Sequence, residues 1–203
     1  MNFCVYGASS NAIDEKFLDA AYALGREIAK RGHGLVFGGG NSGVMGASAR
    51  GADSVEGARI LGIAPTFFNV DGVLYPHCTE FISPDNMRER KRLLDESSDG
   101  FVIAPGGIGT FDEFFEILTL KQLGRHKKPI VIFNVDGYYE PLLALLRHTA
   151  ENEFMNESTM ALYAVFEDIG EMLDYMEHYE APDHKVSFFK KIEDVLVEND
   201  GND

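Results

Sequence analysis

The chain has 203 residues, 45% of them hydrophobic and 25% charged, which suits one α/β domain with a sizeable core. No apolar run approaches the roughly 18–20 residues of a membrane-spanning helix, and Met1-Asn2-Phe3-Cys4 starts a strand with no signal-peptide core before it, so a cytoplasmic protein without a membrane partner is expected. The net charge of −15 is split unevenly, −3 over residues 1–150 and −12 over 151–203, so the larger part is nearly neutral and lacks the broad basic face that nucleic-acid binding needs.

In chain order, apolar runs and amphipathic stretches alternate. Residues 3–6 predict a strand ending at Gly7-Ala8-Ser9-Ser10, and 14–31 a helix with Phe17, Ala21, Leu24 and Ile28 on one face, stopped by Gly32-His33-Gly34. Residues 35–37 form the next strand, entering a glycine-rich loop, Gly38-Gly39-Gly40-Asn41-Ser42-Gly43, and a small-residue helix over 44–57. A third strand covers 59–64 and a short one 80–82, with an irregular stretch between. Helix, strand, helix and strand follow at 86–98, 101–104, 111–123 and 130–133, and the last helices span 138–152 and 169–179. This alternation predicts an α/β, single-domain Rossmann-like, doubly wound and mostly parallel sheet with helices on both faces and ligands outside the carboxyl ends of the strands. The domain is expected over 1–180, followed by a C-terminal extension over 181–203 whose last part, 193–203, reads as an acidic solubilising tail.

The densest chemical signal is Pro105-Gly106-Gly107-Ile108-Gly109-Thr110-Phe111-Asp112-Glu113, a glycine turn between an apolar strand and an amphipathic helix. Its glycines let the backbone approach an anion, and the free amides and positive dipole end of the helix attract phosphate. Upstream, Asn86-Met87-Arg88-Glu89-Arg90-Lys91-Arg92 carries four cations. Arg88 and Arg92 read as a solvated helix face, whereas Arg90 and Lys91 lie one helix, one strand and one turn before Glu113 and can converge with it at one sheet end. The loop at 38–43 lacks the spacing of a dinucleotide fingerprint and reads as a second turn shaping the same crevice. Gly7-Ala8-Ser9-Ser10 suits either ligand contacts or the capping of the first helix. Glu116 shares a helix face with Glu113 and is expected to support the site from behind, with positioning of the sugar or of neighbouring cations as the alternative. The six histidines and two cysteines show no metal-ligand spacing, so neither a metal nor a disulfide is expected, and Cys4 and Cys78 read as free thiols.

Taken together, Met87-Arg88-Glu89-Arg90-Lys91 and the 105–113 segment resemble the double signature of the LOG (Lonely Guy) family, the cytokinin riboside 5′-monophosphate phosphoribohydrolases, often mislabelled lysine decarboxylases. The resemblance extends through Gly38-Gly39-Gly40-Asn41-Ser42-Gly43-Val44-Met45-Gly46, Gln122-Leu123-Gly124 with Lys128-Pro129, and Asn134-Val135-Asp136-Gly137-Tyr138-Tyr139, and covers roughly residues 2–175. It implies hydrolysis of the N-glycosidic bond of an adenine-type nucleoside 5′-monophosphate to free base and ribose 5-phosphate, without a cofactor, in a homodimer or higher homo-oligomer. Arg90 and Glu113 are then the catalytic pair. Met87, Lys91, Gly106, Gly107, Ile108, Gly109, Thr110, Phe111, Asp112 and Thr119 complete the expected substrate site.

Departures from the family pattern leave the base open. Leu94 stands where many members carry methionine, Leu120 replaces a common tryptophan, Ile108 fills a variable position, and Asp71-Gly72 occupies the place of a substrate-contacting glutamate. AMP and N6-prenylated AMP are therefore equal candidates. The alternatives are a broader nucleotide nucleosidase and a non-catalytic nucleotide-binding sensor or carrier. A pyridoxal-phosphate decarboxylase is rejected, because the only sequence faintly like a lysine site, Asp183-His184-Lys185, falls in the acidic terminal region.

Overall fold

Short runs, most of them apolar and flanked by glycine or proline, supply seven strands: β1 (Asn2–Tyr6), β2 (Gly34–Phe37), β3 (Arg59–Ile63), β4 (Glu80–Ile82), β5 (Gly100–Ile103), β6 (Ile130–Phe133) and β7 (Ala164–Phe166). In the computed structural model, which describes residues 1–181, they form one sheet in the order β4-β3-β2-β1-β5-β6-β7, and every pairing is parallel. Such a sheet needs helical crossovers, and helices cover both faces.

The alternation of side chains along each strand assigns the two cores. Phe3, Val5, Leu35, Phe37, Val102 and Val131 point to the face covered by α1 (Glu15–Lys30), α2 (Gly43–Asp53) and α6 (Ile169–Glu177). Cys4, Tyr6, Val36, Phe101, Ile103 and Ile132 point to the other, under α3 (Met87–Glu96), α4 (Ile108–Gln122) and α5 (Glu140–Glu151). With both faces buried, the strands read as continuous apolar runs rather than alternating ones. Burial pushes the Cys4 thiol up to about 12, which keeps it protonated, and both cysteines are free.

Helix starts are set by side-chain caps: Asp14 accepts from the Lys16 amide and Asn86 from that of Glu89. The expected helix at 44–57 ends at Asp53, because Ser54 closes the last turn and Gly57 adopts φ +76°. The helix expected from 111 begins at Ile108, so the second half of the glycine turn, from Ile108, belongs to the first helical turn. The helix expected from 138 begins at Glu140, after a 3-10 turn, Val135–Gly137, in which Asp136 has φ 51°. Gly34 belongs to β2 rather than to a helix stop. The edge strand β7 lies outside the expected elements: no glycine or proline marks its ends, and pairing with β6 makes it a strand.

The chain adds β2, β3 and β4 on one side of β1 and then returns to place β5 on the other. The connections therefore diverge between β1 and β5 and leave a crevice at the carboxyl ends of these strands. Among the described residues no helix is long and apolar enough to cross a membrane. The extension expected over 181–203, with its tail at 193–203, lies outside the described residues apart from residue 181.

Candidate active site

Three turns converge at this divergence: 7–10 after β1, 38–43 after β2 and 105–110 after β5. They enclose a crevice of about 550 Å³, completed by Ala64 beyond β3, by Phe68, Val73 and Leu74 from the following loop, and by Met87 and Arg90 of α3.

Arg90 and Glu113 meet at the floor. The guanidinium donates from Nη1 to Glu113 Oε1 at 2.7 Å and from Nε to the Ile63 carbonyl at 3.2 Å, so α3 is tied both to α4 and to the end of β3. Both residues are buried, at 7% and 8% exposure. Burial raises the Glu113 carboxyl above its ordinary range, and the Arg90 charge and hydrogen bond pull it back. A pair this buried contributes little net stability, yet removing one partner costs about 3–5 kcal/mol because the other charge is left alone. Gly38 makes room for the pair: a Cβ there would lie 2.2 Å from Arg90 Nη2.

The 105–110 turn is fixed from behind. Three successive carbonyls are occupied: Ala104 accepts from the Tyr139 hydroxyl at 2.7 Å, Pro105 from the Ala8 amide at 3.0 Å and Gly106 from the Tyr138 hydroxyl at 2.8 Å. Gly106 must be glycine, since a Cβ there would lie 2.1 Å from Thr110 Oγ1. Gly107 is the N-cap of α4 and offers no side-chain acceptor, so the first amides of this 15-residue helix keep their hydrogen-bonding capacity beside the crevice.

Of the residues singled out in the sequence, Met87, Arg90, Gly107, Ile108, Gly109, Thr110 and Glu113 line the crevice. The others do not. Lys91 points away and is neutralised by Asp112, at 3.1 Å, and by Glu116, at 2.5 Å. These contacts raise the lysine's pKa and hold it beside a second cavity of about 180 Å³, which Glu113 also borders. The expected support from Glu116 thus goes to Lys91. Phe111 packs in the core against Tyr139, Gly106 turns its carbonyl outward, and Thr119 is exposed on α4. Single-residue spacing along a helix cannot reveal these positions, because each turn carries some side chains toward the crevice and others away from it. Ser9, Ser10, Ser42 and Met45 line the crevice too, as does Phe68. Ser9 and Ser10 lie in the turn after β1, where the sequence offered ligand contacts, and Ser42 in the glycine-rich turn after β2 that was expected to shape the same crevice.

A family model described as "Possible lysine decarboxylase" matches residues 45–176. The cytokinin riboside 5′-monophosphate phosphoribohydrolase LOG of Oryza sativa subsp. japonica is 33% identical over 183 residues, 90% of this chain and 75% of that protein. The chain belongs to the LOG family. LOG2 of Arabidopsis thaliana, named for the same activity, is 32% identical over 89% of this chain and 84% of its own. Among solved structures, the molybdenum cofactor binding protein of Rippkaea orientalis superposes with a TM-score of 0.65 at 22% identity, covering 87% of this LOG chain and 93% of its own. The Moco carrier protein of Chlamydomonas reinhardtii gives 0.65 at 23%, over 87% and 95%. At these identities the likeness is one of fold. It bears out the Rossmann-like architecture expected of this LOG member.

Proposed function

We propose that this LOG-family chain hydrolyses the N-glycosidic bond of a nucleoside 5′-monophosphate, releasing the base and ribose 5-phosphate. The observation that carries the reading is the buried Arg90–Glu113 pair opening into a crevice edged by the amides of α4. As the C1′–N bond lengthens, positive charge grows on the ribose ring, and a carboxylate shielded from water stabilises that charge more than it stabilises the neutral ground state. Glu113 fills this role or takes a proton from the attacking water, whose oxygen bonds to C1′ while the bond's electron pair leaves with the base. Arg90 favours the ionised form of Glu113 against the burial that opposes it, and orients the carboxylate. Gly107, Ile108, Gly109 and Thr110 hold the phosphate. No lysine lines the crevice among the described residues, so an amine for decarboxylation is missing there.

For the base, the crevice rim supports an apolar N6 substituent. Phe68, Val73 and Met87 line it and are all exposed. Covering them with a prenyl group removes apolar surface worth about 2–3 kcal/mol, so N6-prenylated AMP should exceed AMP in kcat/KM by roughly 30- to 150-fold. Homodimerisation through the α4 side is supported by exposed Phe115 and Leu123, and light scattering measures it. A cytoplasmic location follows the same reading and is checked by fractionation.

The decisive experiment incubates the protein with AMP, N6-prenylated AMP, their nucleosides and other nucleoside monophosphates, with chromatography of the released base. Cleavage confined to adenine-type monophosphates is expected. Equal turnover of nucleosides would remove the phosphate site, comparable turnover of every monophosphate would make the enzyme a broader nucleosidase, and binding without release of base would make it a carrier.

A further inference from the structure

We infer that Tyr138 is a positioning residue for the ligand's phosphate, acting through the backbone of the 105–110 turn. The inference rests on the phosphate reading of that turn. Its basis is the run of three occupied carbonyls: Tyr139 takes Ala104, the Ala8 amide takes Pro105 and Tyr138 takes Gly106. In a trans peptide the C=O and the next N–H point in opposite directions, and the described residues hold no cis bond. Gly107 lines the crevice and Tyr138 does not. The hydroxyl that draws the Gly106 carbonyl outward therefore turns the Gly107 N–H inward, toward the bound phosphate.

Tyr138 is itself held in place for this task. Its ring meets Phe17 of α1 edge-on at 5.4 Å and Tyr139 at 5.0 Å. It follows the tight turn in which Asp136 and Gly137 adopt φ 51° and 71°, and Asp136 pairs with Lys16 of α1. α1 and the β6–α5 connection thus fix the ring, and the ring fixes one peptide of the turn. Tyr139 does the same for Ala104 from a fully buried position, where its loss disturbs the core. Tyr138 is 39% exposed and contributes chiefly its hydroxyl, so its role can be separated from folding.

The test is Tyr138→Phe, which keeps the ring and its contact with Phe17. Calorimetric titration with ribose 5-phosphate should show about fivefold weaker binding, the effect of one lost hydroxyl hydrogen bond. Adenosine binding and the melting temperature should hold, and KM for the monophosphate should rise with kcat little changed. Unchanged ribose 5-phosphate affinity in the variant would overturn the inference, as would equal weakening of ribose 5-phosphate and adenosine, the mark of a general structural loss. A wild-type chain that binds ribose 5-phosphate no better than ribose would bring down the phosphate reading itself, and the inference with it.

Discussion

At the scale of single residues, two charged groups on α4 meet burial with opposite outcomes. Glu113 is buried with a counter-ion in hydrogen-bond contact, and its carboxylate is held at the crevice floor. Glu113→Gln keeps the size and removes the charge, so turnover should fall at least about a hundredfold while monophosphate binding survives, as single-turnover assay and calorimetry will read. Near-normal turnover would reduce Glu113 to a structural partner of Arg90. Lys121, two turns on, is 7% exposed, and its ammonium has no hydrogen-bond partner among the described residues, only the Tyr179 ring 4.7 Å away. Burial lowers its pKa to about 8. An unfolded lysine titrates near 10.4, so the unfolded chain binds more protons between about 8 and 10.4, and stability rises with pH across that window. Below about 8 the full cost of the buried charge remains. Lys121→Met should raise the melting temperature at pH 7 by about 2–5 °C and flatten its rise above pH 8, measured by calorimetry against the wild type.

At the scale of elements, the site depends on helices and strand ends meeting within tenths of an ångström. The β2–α2 turn approaches α3 so closely that Gly38 has no room for a methyl group beside Arg90. The guanidinium cannot yield freely, being tied to the Ile63 carbonyl and to Glu113. Gly38→Ala should therefore displace it, lowering kcat about ten- to a hundredfold and stability by about 1–3 kcal/mol. Steady-state kinetics with a denaturation curve will check both, and a fully active variant would mean that the pair tolerates displacement. The elements themselves were largely legible. Ala21, Leu24 and Ile28 trace the buried stripe of α1, while Phe17 at its start is half-buried against Tyr138, and 80–82 and 130–133 are strands as expected. The boundaries at 44–57 and 111–123 were not, because caps and glycine φ angles, rather than periodicity, end or begin those helices.

At the scale of the whole molecule, the sheet order creates the site. Turns after β1, β2 and β5 are far apart in sequence and meet only because the chain reverses direction across β1. A ligand that bridges them should stabilise the fold as a unit. With the Glu113→Gln variant, monophosphate at about a hundred times its Kd should add about 2.7 kcal/mol, while adenosine at the same concentration should add far less. Thermal-shift curves of the two ligands give the comparison, and equal shifts would contradict the phosphate contacts.

The sequence by itself determined the α/β class, the strand–turn–helix at 105–113 and the convergence of the cations at 90–91 with Glu113 at one sheet end, because these follow from local period, glycine chemistry and a spacing of one helix, one strand and one turn. Lys91 shows where that reasoning stops. It adjoins Arg90 in sequence and carries the same charge, yet the helix turns it about 100° away from the crevice, where Asp112 and Glu116 take it up. Only the tertiary structure decided which of two neighbouring cations faces the crevice, which carbonyls Tyr138 and Tyr139 hold, and that Thr119 faces solvent. Each depends on the rotation of a helix about its axis or the packing of distant segments, which no single stretch of sequence specifies.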